Sequence, residues 1–485
     1  MNKSARKPKV ADFKLLKCPT GIQGVDEITF GGLPRERTTL VCGNAGCGKT
    51  LFAMEFLVRG ANEFNEPGVY MSFEENAEEL TKNFYSLGFE LNYLINHKKL
   101  IIDYVFIERS EIEEAGEYDL EGLFVRLGHA IDSIGAKRVV LDTIEALFSG
   151  LKNENVLRAE LRRLFRWLKT KGVTAIITGE RGDKSLSRYG LEEYVADCVI
   201  ILDHRVNEQI STRRFKIIKY RGSRHGSNEY PFLIDKKGLS VLPVTSLGLD
   251  YPISSDRVSS GVKGLDEMFE KKGYYRGSAI LFSGGSGTGK TSFTSHFADS
   301  VCRRGEKCLF FAFEESENQI IRDMNNIGIN LKKWKNKDLL LISASRPAIF
   351  GLEMHLMNAH NMINEFKPNV VVFDPISNLI NSGTLIEAQA MLTRLIDYLK
   401  AAQITLLMTD MFTIGDRAEQ TEMNISSLCD SWIKLQNIER GNEYIRTISI
   451  LKSRGMNHSN QTREFLITYK GVQINNSSKS PREVL

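Results

Sequence analysis

Two short segments of the chain carry the residue pattern that binds nucleotide phosphates. Residues 43–50 and 284–291 each read glycine, four variable residues, glycine, lysine and threonine. In such a loop the backbone N–H groups hold phosphate oxygens, the lysine contacts the β- and γ-phosphates, and the threonine offers its hydroxyl to Mg²⁺. The pattern predicts two sites for ATP and Mg²⁺, whose binding residues are Gly43, Asn44, Ala45, Gly46, Cys47, Gly48, Lys49, Thr50 and Leu51, and Gly284, Gly285, Ser286, Gly287, Thr288, Gly289, Lys290, Thr291 and Ser292.

An aspartate ends an apolar segment downstream of each loop. Asp142 closes residues 138–142, and Asp374 closes residues 370–374. In proteins with this loop, such an aspartate supports Mg²⁺ and its water ligands, although it could instead cap the next helix. The upstream loops favour the metal role, and the predicted metal-site residues are Thr50, Thr291, Asp142, Asp374 and Glu315.

Two adjacent glutamates follow another apolar segment in each half of the chain. They are Glu74 and Glu75 in the first half, and Glu314 and Glu315 in the second. A carboxylate at a strand end can orient an attacking water or take a proton from a hydroxyl, and an adjacent acid raises its basicity. A solvated acidic turn is the alternative. Because the pair recurs at the same place, we predict that all four glutamates are catalytic.

Basic side chains recur late in each half, where a strand would lead into a glycine loop. They are Lys219, Arg221 and His225, and Lys452, Arg454 and His458. If they cannot reach their own nucleotide, they could complete a neighbouring subunit's site as arginine fingers do. An exposed basic turn is the alternative. We include these residues among the predicted nucleotide-binding set.

The matching landmarks show that the chain is a tandem repeat. Residues 20–27 resemble residues 260–267, and the loops, acidic pairs, aspartates and Lys-x-Arg-Gly segments follow in the same order in both halves. A short segment bracketed by prolines separates the halves and is typical of a linker. The predicted organisation is an extension 1–13, a first domain 14–246, a linker 247–253, a second domain 254–474 and a tail 475–485.

Apolar segments rich in strand-forming residues alternate with helical patterns in each half. Such segments precede the loops and recur further on, at residues 38–42, 138–142 and 174–178, and at 278–283, 370–374 and 404–408. Continuous apolar strands separated by helices indicate a parallel sheet covered on both faces. The predicted fold class is α/β, with each domain a mainly parallel sheet flanked by helices.

The charge balance argues against a protein that coats nucleic acid. The 485 residues include 64 lysines and arginines against 60 aspartates and glutamates, a net charge of +4. Such a small excess does not provide a uniform basic surface. A local basic groove stays open, but we expect no nucleic-acid partner.

The cysteines and the apolar segments indicate the cellular compartment in which the protein is expected. The seven cysteines are scattered and form no C-x-x-C pair, which fits neither a disulfide framework nor a zinc module. No segment approaches the roughly 18 apolar residues of a membrane span, and the polar N-terminus lacks the apolar core of a signal peptide. These features predict a cytoplasmic protein with no membrane partner.

The combined motifs resemble the KaiC family, the double-domain RecA-like ATPases of the cyanobacterial clock. The resemblance is carried by the tandem loops, the Phe-Glu-Glu segments 73–75 and 313–315, the Lys-x-Arg-Gly segments and residues 259–268, and it covers residues 14–474. It implies two tandem RecA-like P-loop NTPase domains and a homohexameric double ring with ATP between subunits. It also implies a slow ATPase in the first ring, and an autokinase and autophosphatase in the second.

The resemblance further implies a phosphorylation segment in the second domain. Ser426 and Ser427 fall on the paired acceptor positions, Thr421 on a third hydroxyl and Asp430 on the following acid. By composition alone the serines are an ordinary polar pair. The aligned residues 189–194 of the first domain contain no such pair, so modification is expected in the second domain only.

Several residues depart from the family pattern. Ser427 replaces the usual threonine, Pro375 stands where serine is typical, and Cys47 replaces a threonine and makes the first loop open to oxidation. The short tail argues against regulation by a KaiA-like activator. Residues 117–123 resemble the region that binds KaiB, so a KaiB-like partner is expected there.

Two other functional classes stay open from the residues alone. One is a nucleic-acid motor related to RecA or a helicase, which would need basic loops facing a pore and affinity that falls steeply with salt. The other is a signalling scaffold that ATP assembles without kinase activity. Label transfer from ATP to phosphate and to protein separates all three classes.

Overall fold

The computed structural model describes residues 15–105, 121–148, 154–182, 196–207, 210–243, 253–347, 351–411 and 425–475. The chain separates into two compact units, Met1–Pro243 and Val244–Leu485. Most of the predicted linker 247–253, extension 1–13 and tail 475–485 lies outside the described residues. The domain boundaries therefore stay a prediction.

The first unit alternates strands and helices as far as its seventh strand and ends in antiparallel strands. Its strands are β1 Lys17–Cys18, β2 Leu33–Pro34, β3 Thr38–Gly43, β4 Gly68–Ser72, β5 Leu100–Tyr104, β6 Arg138–Asp142, β7 Thr174–Glu180, β8 Cys198–Asn207, β9 Ile210–Tyr220, β10 Glu229–Asp235 and β11 Gly238–Val241. Its helices are α1 Val25–Ile28, α2 Lys49–Glu63, α3 Ala77–Ser86, α4 Leu91–Asn96, α5 Glu121–Ile134, α6 Ile144–Phe148 and α7 Glu154–Thr170.

The second unit repeats this order of elements. Its strands are β12 Arg257–Val258, β13 Tyr274–Tyr275, β14 Ala279–Gly284, β15 Cys308–Ala312, β16 Leu340–Ala344, β17 Val370–Asp374, β18 Thr405–Met411, β19 Ser431–Arg440, β20 Glu443–Ser453, β21 Arg463–Thr468 and β22 Gly471–Ile474. Its helices are α8 Lys263–Met268, α9 Lys290–Arg303, α10 Glu317–Asn326, α11 Leu331–Lys335, α12 Leu352–Phe366 and α13 Leu385–Ala401, with a 3₁₀ helix at Ile376–Ser382.

Each unit is built on a nine-stranded sheet of the same topology. In the first unit the order is β11-β10-β9-β8-β3-β7-β6-β4-β5, in which β8, β3, β7, β6, β4 and β5 run parallel. The second unit has the order β22-β21-β20-β19-β14-β18-β17-β15-β16. The predicted α/β class and the tandem RecA-like fold are confirmed.

The strand at the centre of the parallel region shows how both faces are covered. Side chains alternate along β3, so Leu40 and Cys42 pack with Leu127 of α5 and Leu161 of α7. Val41 lies on the other face and packs with the helix that follows the loop, α2. Both faces of this strand are therefore buried, as the uninterrupted apolar run predicts.

Two features of the sheets differ from the sequence predictions. The strand predicted at residues 404–408 begins at Thr405 and continues to Met411. The antiparallel pairing of β9–β11 and of β20–β22 was not predicted, since their mixed polar and apolar residues lack the continuous apolar pattern of the parallel strands. They matter because they place the basic residues of each unit.

Candidate nucleotide sites

Both predicted phosphate loops connect a central strand to a helix. In the first unit β3 ends at Gly43 and α2 begins at Lys49, and in the second β14 ends at Gly284 and α9 begins at Lys290. Gly48 and Gly289, with φ of 104° and 95°, adopt the left-handed conformation that glycine tolerates. The loop amides and the positive end of each helix dipole therefore meet at one place, which suits phosphate binding.

The loop lysines lie over the open side of these turns. Lys49 Nζ donates to the carbonyl oxygens of Gly43 (2.8 Å) and Asn44 (3.1 Å). Lys290 Nζ makes the same contacts with Gly284 (2.6 Å) and Gly285 (2.9 Å). Phosphate oxygens would give these ammonium groups stronger, charge-assisted partners than neutral carbonyls. The loops therefore fit a nucleotide polyphosphate.

The aspartate at the end of β6 is held by two hydroxyl donors. Tyr70 of β4 and Thr178 of β7 both donate to the buried Asp142 carboxylate. Because these strands flank β6 in the sheet, their hydroxyls approach the carboxylate from both sides. They fix its orientation toward the carboxyl end of the sheet.

The second aspartate has a different set of partners. Thr409 of β18 and the loop residue Thr291 both donate to Asp374. Burial raises the pKa of Asp374, while these hydrogen bonds and Lys290 act in the opposite direction. The structure thus brings together two of the predicted metal-site residues, Thr291 and Asp374, and the third, Glu315, lines the same cleft. Phe310 occupies the strand position that Tyr70 has in the first unit.

The acidic pair of the first unit follows β4 directly. Oε1 of Glu74 accepts a hydrogen bond from the hydroxyl of Thr143 over 2.7 Å. Oε2 of Glu75 accepts one from the amide of Asn83 over 3.1 Å. Glu74 is the more exposed of the two carboxylates and lies beside the residue that follows Asp142. Glu74 is therefore the more accessible of the pair to a water molecule.

The acidic pair of the second unit lines a narrow cleft between the loop helix and the sheet. The cleft is bounded by Thr291, Ala312, Glu314, Glu315, Ile320, Asp374 and Pro375. Burial raises the pKa of Glu315, and the negative charges of Asp374, Asp323 and Glu314 raise it further, while Arg322 lowers it. A carboxylate with a raised pKa is a stronger base once ionised, as expected for a general base.

Sequence comparison identifies the family. A family model described as "ATPase: KaiC" matches residues 18–246 and again residues 258–479. The chain belongs to the KaiC ATPase family. The two matches together span most of the sequence and coincide with the two structural units.

Curated relatives cover nearly the whole chain. A protein of Synechocystis named circadian clock protein KaiC2 is 57% identical over 95% of this chain and 82% of its own length. The circadian clock oscillator protein KaiC of Thermostichus vulcanus is 39% identical over 96% of this chain and 90% of its own. The circadian clock protein KaiC3 of Synechocystis is 38% identical over 94% of this chain and 91% of its own length.

In this KaiC-family chain the predicted basic residues lie at the opposite edge of the sheet from their own loop. Arg221 N–H donates to Asp197 O (2.9 Å), and Asp197 N–H donates to Thr38 O (3.0 Å), at the start of β3. The loop begins at the other end of β3, about 17 Å away at roughly 3.3 Å per residue. Lys219 and Arg221 therefore cannot contact a phosphate bound to their own loop.

The second unit repeats this separation. Arg454 N–H donates to Asp430 O, and Asp430 N–H donates to Ala279 O, both over 2.8 Å. Lys452, one residue before the end of β20, lies beside them and about 17 Å from the loop that follows β14. A nucleotide-binding role for Lys452 and Arg454 thus requires a nucleotide on another subunit.

The two histidines of the basic set lie on the turns that follow these strands. His225 stacks near Tyr220, with ring centroids 6.2 Å apart. His458 Nδ1 lies 3.3 Å from Ser459 O. Both are partly buried at the same edge as the basic residues. The structure does not bring either histidine to its own loop.

The predicted phosphoacceptors share the edge with the second basic pair. Lys452 Nζ donates to Ser426 O (2.8 Å), and the Arg454 guanidinium donates to Ser427 O (2.7 Å). Ser427 is exposed and Ser426 is partly buried. Thr421 and residues 189–194 lie outside the described residues, as do residues 117–120 of the expected KaiB-like contact.

The predicted Mg²⁺ ligands fit a site completed by substrate. Each loop offers one threonine hydroxyl, Thr50 or Thr291, and each sheet one carboxylate, Asp142 or Asp374. Mg²⁺ in nucleotide sites keeps several waters and takes phosphate oxygens as ligands. A cluster of three or more acidic or histidine ligands is not needed, and the described part of the chain contains none.

Cys47 is buried, and that argues against easy oxidation of the first loop. Burial raises the pKa of the Cys47 thiol, although the nearby Lys49 lowers it. A buried, protonated thiol is a weak nucleophile. All seven cysteines are buried, and none is joined in a disulfide.

The sequence analysis missed the residues that hold the acidic groups. These are Tyr70, Thr143, Thr178 and Thr409. Thr178 and Thr409 recur at equivalent places near the ends of apolar strands, a signal that could have revealed them.

Among the described residues no helix is long and apolar enough to cross a membrane.

Proposed function

We propose that this protein is an ATPase and a serine autokinase and autophosphatase that works as a homohexameric ring. The first domain, 14–246, would hydrolyse ATP, and the second, 254–474, would phosphorylate Ser426 and Ser427 and later dephosphorylate them. Because relatives are named circadian clock proteins, we propose a role in clock-like timing or signalling in the cytoplasm. A KaiB-like protein is the proposed partner of the first domain.

The location of the serines supports transfer between subunits. Ser426 and Ser427 lie at the amino edge of the sheet, about 17 Å from the loop that holds Lys290. Phosphoryl transfer needs reacting atoms about 3–3.5 Å apart. A γ-phosphate on one subunit can therefore reach only the serines of another. This is the observation that carries the proposal of a ring with nucleotide between its subunits.

The residues of the second unit have distinct roles in this transfer. Bound ATP and Mg²⁺ would supply the phosphoryl group and neutralise part of its charge. Glu315 accepts the proton of the serine hydroxyl while the serine oxygen bonds to the γ-phosphorus and the bond to the ADP oxygen breaks. Lys290 holds the phosphates of its own subunit, and Lys452 and Arg454 bring positive charge from the neighbour.

The aligned residues 189–194 of the first unit contain no serine pair, so hydrolysis is the activity proposed for this unit. Glu74 or Glu75 orients a water toward the γ-phosphorus, and Lys49 holds the phosphates. The Thr143 hydroxyl keeps Glu74 in one orientation. Water is then the nucleophile in place of a serine.

The decisive experiment follows label from γ-³²P-ATP with Mg²⁺ into both free phosphate and protein. We expect label in both, and Ser426→Ala with Ser427→Ala should abolish stable protein label while leaving the ring intact. Mixing Lys290→Ala subunits with acceptor-deficient subunits should restore label, because one supplies serines and the other supplies nucleotide.

The other outcomes identify the alternative functions. Mass spectrometry that finds no phosphate on residues 415–436 would remove the kinase activity and leave an ATPase or an ATP-assembled scaffold. Turnover stimulated by nucleic acid in a strongly salt-dependent manner would indicate a motor.

A further inference from the structure

The basic pair beside the serines points inward, onto the serine backbone of the same chain. The carbonyl oxygens of Ser426 and Ser427 accept from Lys452 Nζ and the Arg454 guanidinium, respectively. Only the carbonyl carbon, Cα and Cβ separate a serine's carbonyl oxygen from its hydroxyl. A phosphate on Ser427 would therefore lie within reach of both cations after side-chain rotation.

The positive charges of Lys452 and Arg454 are only partly balanced by nearby acidic side chains. Asp430 is the nearby acid, and it already accepts from Lys400 Nζ over 2.9 Å and from Ala279 N–H over 2.8 Å. Burial lowers the pKa of Lys452, and the neighbouring Arg454 lowers it further, although Asp430 acts the other way. The crowded cations favour an added anion.

A cavity also lies beside the Arg454 side chain. Arg454, Asp430 and Lys400 line a cavity of about 420 Å³ together with Tyr275 and Arg276. Ser427 and Arg454 are both exposed, so a phosphate there keeps part of its hydration.

We propose that Lys452 and Arg454 form a receptor for the phosphate on Ser427 of their own chain. A phosphoserine carries about −1.5 to −2 charges and three acceptor oxygens, so it competes effectively with the neutral carbonyls that the cations now contact. The biological use of this receptor rests on the proposed function, in which the same cations serve a neighbour's nucleotide. Phosphorylation of Ser427 would then draw Lys452 and Arg454 away from the neighbouring subunit's nucleotide and slow the reaction at that site.

The first unit arranges its corresponding residues differently. There Asp197 lies 3.3 Å from Arg37 and 3.9 Å from Arg221. In the second unit Lys400 pairs with the corresponding Asp430, while the Arg454 guanidinium contacts Ser427.

The test places phosphoserine at position 427 of the full chain by genetic encoding, without using the kinase activity. The second ionisation of phosphoserine, ordinarily near pH 6, is followed by ³¹P NMR without nucleotide. In the chain that carries phosphoserine 427 and keeps Lys452 and Arg454, called the parent chain in this test, we expect this ionisation about 0.5–1 pH unit below its ordinary value. Arg454→Gln should move it back most of the way, and adding Lys452→Gln should complete the return.

Arg440→Gln is the matched control, since Arg440 is an exposed arginine of the same sheet that pairs with Glu464. It should leave the ionisation unchanged. Equal ionisation in the parent chain and in both receptor variants would overturn the proposal. Whether the unmodified chain phosphorylates itself is measured separately with labelled ATP, so failure of the kinase activity and failure of the receptor are distinguishable.

Discussion

The hydroxyl of Thr143 donates a hydrogen bond to Oε1 of Glu74 over 2.7 Å. In the second unit the residue after the corresponding aspartate is Pro375, which has no hydroxyl to offer Glu314. The two acidic pairs thus share their place at a strand end but differ in what holds them. This difference coincides with the proposed division between hydrolysis and phosphorylation.

Removing the Thr143 hydroxyl should slow hydrolysis in the first unit. Thr143→Val in a Lys290→Ala background should lower kcat about 10-fold, because a hydrogen bond to a charged group contributes about 1.5–3 kcal/mol. Steady-state phosphate release measures the effect. Thr143→Ser keeps the hydroxyl and is the control, and equal rates for the valine and serine variants would contradict the positioning role.

Neutralising the first acidic pair should separate the two activities. Glu74→Gln with Glu75→Gln should suppress most steady-state hydrolysis while the second unit still incorporates label, because both loop lysines are untouched. The mirror variant, Glu314→Gln with Glu315→Gln, should lose label and keep most hydrolysis. Intact turnover in the first double variant would show that its glutamates do not activate water.

The pH profile of phosphorylation should depend on charges around Glu315. Only the ionised carboxylate accepts a proton, so its raised pKa places the acid limb of the rate above the ordinary glutamate value. Asp323→Asn removes a negative charge and frees Arg322, and both changes favour ionisation. The acid limb should therefore move to lower pH by about a few tenths of a unit.

Asp338→Asn is the control for the Asp323 variant, because it removes an exposed aspartate that does not act on the pKa of Glu315. Label incorporation between pH 4.5 and 8 measures both profiles. An acid limb that stays in place, or moves to higher pH, in Asp323→Asn would exclude Glu315 as the base.

Acid should weaken the contact between α9 and the last strand of the second unit. His296 Nε2 accepts a hydrogen bond from Val472 N–H over 2.9 Å, so the imidazole must be neutral there. Burial lowers the pKa of His296 below its ordinary 6.5, Arg303 lowers it as well, and Asp299 opposes them. The stabilisation is complete above pH 6.5 and is lost as the pH falls from 6.5 through the folded-state value.

Denaturant unfolding as a function of pH measures this contribution. In His296→Gln the side-chain amide oxygen can still accept the hydrogen bond but does not titrate. The free energy of unfolding should therefore fall by about 1 kcal/mol less on acidification below pH 6.5 than in the parent chain. His97→Gln replaces an exposed histidine outside this contact and is the control. Identical curves for the parent chain and His296→Gln would show that the imidazole does not titrate with unfolding.

Nucleotide should drive assembly of the proposed ring. Bound ATP held between subunits stabilises the oligomer and not the monomer, so mass action favours the ring. Light scattering with and without ATP and Mg²⁺ should show an increase from a smaller species to about six subunits. A species of unchanged size, with nucleotide bound, would contradict sites shared between subunits.

The sequence by itself determined the fold class, the tandem repeat and the position of both phosphate loops. Loop chemistry and continuous apolar strands are local patterns, and each was repeated in the second half of the chain. The places of Lys49, Asp142 and Glu74 and of their counterparts follow from those patterns, because all of them lie next to parallel strands whose carboxyl ends share one edge.

Only the tertiary structure decided which residues meet across the sheet. The hydroxyls of Tyr70 and Thr178 reach Asp142 because β4 and β7 flank β6, an order that the sequence does not reveal. The antiparallel strands β9 and β20 return the chain to the amino edge, and they carry Arg221 and Arg454 about 17 Å from their own loops. Spacing along the chain carries no information on such distances, because strand order and direction arise from packing of the whole sheet.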